Sequence, residues 1–164
     1  MNTRQVIFKD LDNVEYEFDE SQSQIVRVGC YGLVKNENNE YLMIVTNKNK
    51  GWEFPGGGCD FREILSNCVI REVREESGYD VKLVQEQPIY VVENFAYSRR
   101  RNEYWKKIDF LYLCERISTT QHNLVLEEGE EILEMRWMSI EEMKTTLWIH
   151  YIEEHKAAIL NKLI

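Results

Sequence analysis

One predicted helix carries more acidic residues on a single face than helix stability requires. Glu72, Glu75 and Glu76 stand at positions i, i+3 and i+4, so an α-helix places them on one face. Like charges on adjacent turns repel each other. At about 100° per residue, the apolar side chains of this segment project to the same side as the glutamates: Leu65, Cys68, Val69 and Val73. The carboxylates therefore continue the stripe that faces the protein core.

A core-facing group of carboxylates needs a compensating partner. A buried carboxylate must be neutralised, paired with a cation or bound to a metal ion. Oxygen ligands without a thiolate or an imidazole among them suit Mg²⁺ or Mn²⁺. Acidic runs are more often solvated helix surfaces, so the surrounding pattern has to decide between the two interpretations.

The pattern extends well beyond the helix. Gly57 is followed after five residues by Glu63, and after seven more by residues 71–79, which read REVREESGY. This arrangement resembles the Nudix box, Gly-x5-Glu-x7-Arg-Glu-U-x-Glu-Glu-x-Gly-U, in which U is a bulky apolar residue. Every fixed position is matched, with Tyr79 a mildly polar choice at the last U. The resemblance includes the preceding WEFPGGG segment and spans essentially the whole chain, so it is far more specific than a lone glycine motif.

The resemblance implies roles for particular residues. Glu72, Glu75 and Glu76 would bind metal or activate water, and Gly56 would supply a backbone carbonyl ligand. We take Glu75 and Glu76 as primary ligands, whereas Glu72 is either a ligand or the general base. The cofactor would be Mg²⁺, with Mn²⁺ as the alternative. The remaining box residues would hold the loop and the helix in register: Gly57, Glu63, Arg71 and Gly78, the last at a position where glycine ends a helix.

A further catalytic acid is expected in the segment NLVLEEGEE, residues 123–131. Similar proteins often place one more metal-binding or catalytic acid in this loop, ahead of a strand that contains tryptophan. Glu128, directly before Gly129, matches that position best, and Glu127 and Glu131 are its rivals.

The substrate contacts are expected from a basic and aromatic segment, residues 95–107. On an otherwise acidic chain, its cations would steer an anionic substrate. The alternative is a solvated hairpin tip, with the tryptophans in the core or at the rim. The candidate substrate-binding residues are Trp52, Arg99, Arg101 and Trp105.

The order of strands and helices predicts the fold class. We predict a hairpin over residues 4–18 and strands at 25–35, 41–46, 81–84, 89–92, 108–114 and 132–138. Ser139 and Glu142 form a capping box at the start of a helix, and residues 149–162 form a final amphipathic helix. The chain is predicted to be a single Nudix domain, residues 1–164. Its fold class is α/β, an α/β/α sandwich with a mixed central sheet and a loop-helix-loop metal site.

Charge and composition narrow the function classes. A net charge of −9 argues against a nucleic-acid or anionic-membrane binder. The four cysteines show no zinc-ligand spacing, so buried thiols are expected. No apolar run approaches the length of a membrane span, and the N-terminus lacks a signal-peptide pattern, so we expect a cytoplasmic protein. The sequence leaves the oligomeric state open, with a homodimer among the alternatives.

The predicted function is divalent-metal-dependent hydrolysis of a pyrophosphate bond in a nucleoside diphosphate linked to another moiety. A (d)NTP is the favoured example, because the chain is short and adds no second domain. One alternative is a non-catalytic module that senses a nucleotide, although the complete set of box acids counts against it. The other is an isoprenoid diphosphate isomerase, which needs further catalytic Cys and Glu residues, for which Cys59 is the one candidate near the box.

Overall fold

The computed structural model describes residues 6–49 and 51–164. The predicted N-terminal hairpin lies mostly within these ranges and is confirmed by two short antiparallel strands, β1 (Phe8–Lys9) and β2 (Glu15–Tyr16). The predicted strand residues before Val6 lie outside the described part of the chain.

A mixed sheet forms the centre of the fold. After β1 and β2, its strands are β3 (Ser23–Lys35), β4 (Tyr41–Thr46), β5 (Gly56–Gly58), β6 (Tyr79–Leu83), β7 (Tyr90–Ser98), β8 (Glu103–Gln121) and β9 (Ile132–Met138). The main order is β2-β1-β7-β8-β3-β4-β9, with β5 paired to β3 and β6 paired to β8. The pairs β3–β8 and β1–β7 are parallel and the other pairs are antiparallel.

Helices cover the two faces of this sheet. They are α1 (Leu65–Ser77), α2 (Ile140–Thr145), α3 (His150–Glu153) and α4 (Lys156–Leu160). Successive residues of a strand point to opposite faces, and Leu33 and Val34 of β3 accordingly belong to different core clusters. Val34 packs with the buried side of α1, whereas Leu33 packs with the C-terminal helices. The predicted α/β/α sandwich is therefore confirmed.

The box helix has the orientation that its sequence predicts. Cys68, Val69 and Val73 are buried, while Asn67 and Arg74 are exposed. The helix ends at Gly78, whose left-handed φ of 73° allows its N–H to donate to the Arg74 carbonyl. The capping box of α2 is also present, because Ser139 and Glu142 bond reciprocally.

Three expectations were wrong in extent. The strand predicted at 89–92 runs from Tyr90 to Ser98, because it pairs with β8 along its whole length. The strand predicted at 108–114 runs from Glu103 to Gln121, because a continuous parallel register with β3 supports its first half. The basic segment is therefore mostly strand, with a turn only at residues 99–102. The single helix predicted at 149–162 is divided into α3 and α4, and His155 between them contacts the Tyr90 hydroxyl through Nδ1 at 3.2 Å.

No helix within residues 6–49 and 51–164 combines the length and the apolar character that crossing a bilayer requires.

Close packing of α1 on β3 depends on Gly32. A Cβ at this position would overlap Cγ2 of Val73. We expect Gly32→Ala to lower the free energy of unfolding by about 1–3 kcal/mol, because overpacking forces the helix away from the sheet. Urea denaturation measures this change. Gly58→Ala is the matched control, since its Cβ would meet only the end of the Arg27 side chain, at 3.3 Å. Equal stability of both variants would contradict the close approach.

Candidate active site

A polar cavity of about 300 Å³ lies where the glycine-rich strand β5 meets the C-terminal half of α1. Residues from β3, β4, α3 and the loop before β9 complete its walls. The lining includes Tyr31, Thr46, Lys48, Asn49, Glu53, Gly56, Gly57, Gly58, Asp60, Arg71, Glu72, Glu75, Glu76, Val125, Glu127, Glu130 and Tyr151. The structure therefore brings together the three helix glutamates and Gly56, as the sequence predicts.

Arg71 connects the acids of the box. Its Nε and Nη2 donate to the two carboxylate oxygens of Glu63 at 2.8 and 2.7 Å. Its Nη1 donates to Glu72 at 2.7 Å and to Glu75 at 2.9 Å, and Nη2 also reaches the Gly58 carbonyl at 3.2 Å. The hydrogen bonds from Arg71 lower the pKa of Glu63 to about 2. Arg71 and Glu63 thus have the positions that partners holding the loop against the helix require.

Glu76 is the most enclosed of the helix acids. Its side chain lies in the buried part of α1, and its Oε2 accepts a hydrogen bond from the Gly56 N–H at 2.7 Å. Burial raises the pKa of Glu76 well above its usual range, and the nearby charges of Glu53, Glu130 and Glu72 act in the same direction. One backbone N–H therefore does not compensate for the desolvation of this carboxylate.

Glu72 lies beside the glycine loop. A Cβ on Gly57 would overlap its carboxylate, so the close approach depends on a residue without a side chain. Burial raises the pKa of Glu72, although the Arg71 guanidinium opposes that rise. Two of the three helix carboxylates are thus disfavoured as free anions.

The donor chemistry of this cavity suits a divalent cation. Lys48 and Arg71 are the cations among the described lining residues, and both are already paired. Lys48 lies 3.0 Å from Glu130 and 3.3 Å from Glu127. The negative charge of Glu72 and Glu76 consequently exceeds what the lining cations offset, and hard oxygen ligands of this kind suit Mg²⁺ or Mn²⁺.

One buried acid at the cavity was not predicted from the sequence. Glu53 is 5 % exposed and accepts hydrogen bonds from Asn49 Nδ2 at 2.7 Å, Thr46 Oγ1 at 3.2 Å and the Tyr151 hydroxyl at 3.3 Å. Burial raises its pKa. In the sequence, only its position between Trp52 and Phe54 indicated a buried acid, because a single charged residue between two large apolar residues is unusual. No feature of the sequence indicated that Tyr151 lines the cavity.

The loop before β9 presents different acids from the one predicted. Glu130 N–H donates to the Glu127 carbonyl at 3.0 Å, which closes a tight turn with Gly129 at φ 78°. The two ends of this turn line the cavity, whereas Glu128 is exposed at its tip. Three acids of this loop were candidates from the sequence. Glu127 lines the cavity, whereas Glu128 and Glu131 do not. Glu130 was not considered.

The structure does not bring the predicted substrate-binding residues to the cavity. Arg99 pairs with Asp10 at 3.0 Å and with Asp12 on the N-terminal hairpin, and Arg101 is exposed in the turn after β7. The two predicted tryptophans contact arginine side chains instead of the cavity. The Arg136 guanidinium lies 5.2 Å from the ring centre of Trp52, and the Arg27 guanidinium lies 4.6 Å from that of Trp105. Lys107 points toward the cavity side instead, with its Nζ 4.4 Å from the ring centre of Tyr151.

A larger depression of about 550 Å³ lies on the outer side of α1. Its lining includes Ile70, Val81 and Ile117 together with Arg74 and Asp80. It lacks convergent carboxylates, so the chemistry favours the smaller cavity.

Comparison with known proteins agrees with the fold and the motif. The sequence profile of the NUDIX domain matches residues 24–160, which is most of the chain. The chain therefore belongs to the Nudix family.

Curated relatives cover the same part of the sequence. Nudix hydrolase 7 of Arabidopsis thaliana is 30 % identical over 127 residues, which are 74 % of this chain and 42 % of the relative. Nucleoside diphosphate-linked moiety X motif 6 of Xenopus laevis is 27 % identical over 120 residues, 71 % of this chain and 52 % of the relative. The chain thus spans about two fifths to half of the length of these relatives.

Solved structures show the same fold. The MutT protein from Methanosarcina mazei Go1 superposes with a TM-score of 0.64 at 20 % identity, covering 82 % of this chain and 93 % of that one. An ADP-ribose pyrophosphatase from Streptococcus suis gives a TM-score of 0.57 at 17 % identity, with coverage of 84 % and 89 %. At these identities the similarity establishes the fold alone.

The Glu63–Arg71 pair predicts an acid-sensitive contribution to stability. The folded pKa of Glu63, about 2, lies below the ordinary glutamate pKa of 4.5. The stabilisation is therefore fully present above pH 4.5 and is lost as the pH falls toward 2. We expect Glu63→Gln to be less stable than the parent at pH 7, with the difference shrinking over this window. Chemical denaturation at a series of pH values measures it. A constant difference across the window would show that the pair does not contribute through its charge.

Proposed function

We propose that the chain hydrolyses a pyrophosphate bond in a nucleoside diphosphate linked to another moiety. The observation that carries this proposal is the convergence of Glu72, Glu75 and Glu76 with Gly56 on one polar cavity, in which the carboxylate charge exceeds the charge of the lining cations. Membership of the Nudix family supports the reaction class.

The residues that would hold Mg²⁺ or Mn²⁺ are the three helix glutamates, with the Gly56 carbonyl beside them. A bound divalent cation would neutralise charge on the phosphate oxygens and lower the pKa of a coordinated water. Glu130 is the further acid that we now assign to this site in place of Glu128, because its side chain is on the cavity wall and its charge influences Glu76.

The chain's own residues would fix the reacting groups. The Gly56 N–H holds the Glu76 carboxylate in place at 2.7 Å, and Arg71 does the same for Glu72 and Glu75. Glu72, whose pKa is raised by burial, has a suitable environment for a general base that accepts the proton of an attacking water. Lys48, which also lines the cavity, offers a cation to an anionic phosphate group.

The cavity supports a small nucleotide as substrate. A volume of about 300 Å³ lies at the low end of the usual range for ligand pockets. Two similar proteins have names that refer to cleavage of a pyrophosphate bond next to a nucleoside. They are a putative 8-oxo-dGTP diphosphatase of Bacillus subtilis and an ADP-ribose pyrophosphatase of Streptococcus suis. A nucleoside triphosphate is our first candidate, and nucleotide sugars and ADP-ribose follow.

Catalysis by this site predicts a sharp difference between two glutamates. We expect Glu76→Gln to reduce kcat by roughly 10²–10⁴-fold, because it removes a carboxylate from the centre of the cavity. Glu128→Gln should leave kcat within about twofold of the parent, because surface substitutions rarely propagate. A panel of nucleotides with Mg²⁺ and with Mn²⁺, its products separated by ion-exchange chromatography, measures both rates.

Failure of this proposal has a clear signature. If no nucleotide in the panel is hydrolysed while one of them still raises the melting temperature, the chain is a nucleotide-binding module and not a hydrolase. If Glu128→Gln loses as much activity as Glu76→Gln, the cavity is not the reaction site.

If the cavity binds a metal ion, Glu76→Gln should raise stability in the absence of the ion and reduce the stabilisation that the ion provides. In EDTA we expect Glu76→Gln to melt at a higher temperature than the parent, since it removes a buried charge that burial disfavours. With excess Mg²⁺, the parent should gain thermal stability by ligand linkage and the variant should gain less. Differential scanning calorimetry measures both. A variant that is destabilised in EDTA would contradict the uncompensated charge at Glu76.

A further inference from the structure

Three cysteines from separate parts of the chain converge next to the candidate active site. Cys30 lies on β3, Cys59 follows β5, and Cys68 lies on α1. Their Sγ atoms all lie within 4.8 Å of one another. Cys30 and Cys68 are buried and Cys59 is partly exposed, so the group can be reached from the loop side.

The surroundings of this group differ from those of a thiol that only fills the core. Arg71 Nη2 lies 3.9 Å from the Cys68 Sγ, so a guanidinium lies beside the group, while the hydrogen bond with Cys30 and burial raise the pKa of the Cys68 thiol. Cys114 provides the comparison within the same core cluster, because it is buried but does not belong to the group. Burial raises the pKa of Cys59 to about 12, so the metal-free protein keeps a neutral thiol there.

We propose that Cys30, Cys59 and Cys68 bind a single thiophilic d¹⁰ cation, Zn²⁺ or Cu⁺. Thiolates select such ions over Mg²⁺. Zinc–sulfur bonds of about 2.3 Å place the sulfurs of a tetrahedral site ~3.8 Å apart, so closure of the group on an ion requires movements of about 1 Å or less. Three ligands leave one coordination position open on the exposed side. The ion would displace the thiol protons on binding.

This site would be connected to the carboxylate cavity through the backbone. Cys30 is the register partner of Gly57 across β3 and β5, and Gly57 packs against the Glu72 carboxylate. Cys68 precedes Glu72 by one helical turn. An ion on the three thiolates would therefore tie the glycine loop to α1. The chain would hold two sites that sort cations by ligand softness, carboxylates for a hard ion and thiolates for a soft one.

The test is a titration of the reduced chain, residues 1–164, with Cd²⁺ under anaerobic conditions. Excess Mg²⁺ is present to occupy the carboxylates. Thiolate-to-cadmium charge transfer gives an ultraviolet absorption that carboxylate ligands do not produce, so the signal reports the cysteines specifically. We expect the band to saturate at one Cd²⁺ per chain. In separate arms, Cu⁺ should displace the Cd²⁺, and Zn²⁺, which binds thiolates more weakly than Cd²⁺, should displace it only in large excess. The displaced Cd²⁺ is measured after gel filtration.

Matched variants assign the ligands. Cys59→Ser changes a partly exposed residue, so folding is not at risk, and we expect it to lose the saturable band. Cys114→Ser should keep the full band. X-ray absorption of the Zn²⁺ complex gives a second measurement, with three sulfur neighbours expected at about 2.3 Å. No band in the parent, an unchanged band in Cys59→Ser, or fewer than three sulfur neighbours would overturn the proposal. A competition arm in which only one of the two ions displaces Cd²⁺ would support the proposal for that ion alone.

Discussion

The arrangement around the candidate active site depends on how one guanidinium shares its charge. Arg71 donates hydrogen bonds from Nε and Nη2 to Glu63 and from Nη1 to both Glu72 and Glu75. Carboxylates taken out of water need such direct partners, and the planar fork of arginine can serve several at once. This pairing allows an acidic face of α1 to pack toward the sheet. Within the described part of the chain, it leaves Glu76 without a cation of its own.

The glycine-rich strand β5 also positions the glutamates of α1. Gly57 admits the Glu72 carboxylate where any side chain would collide, and the Gly56 N–H fixes Glu76. The backbone thereby contributes directly to the cavity wall. Buried carboxylates with raised pKa values oppose folding in the absence of a cation. Natural proteins break local rules in this way mainly at functional sites, which is why we give this cavity more weight than the larger depression outside α1.

Many features of the fold could be predicted because they are local. The period of apolar residues identifies α1 and its buried side, and Gly78 and the Ser139–Glu142 pair mark helix ends through contacts within a few residues. The strands at 25–35 and 132–138 follow from their β-branched and apolar runs. Features that depend on distant partners were missed. The length of β8 is set by its register with β3, and the division of the last helix coincides with a contact between His155 and Tyr90.

By itself, the sequence determined the family, the box helix and the acids that this helix turns inward, because spacing along one helix is fixed by its geometry. Only the tertiary structure decided which residues share the cavity. Glu53 and Tyr151 meet there although 98 positions separate them, and a turn around Gly129 places Glu127 and Glu130 on the cavity wall and Glu128 away from it. The convergence of Cys30, Cys59 and Cys68 is of the same kind. Contacts between distant segments depend on strand pairing and helix packing, which the local pattern does not specify.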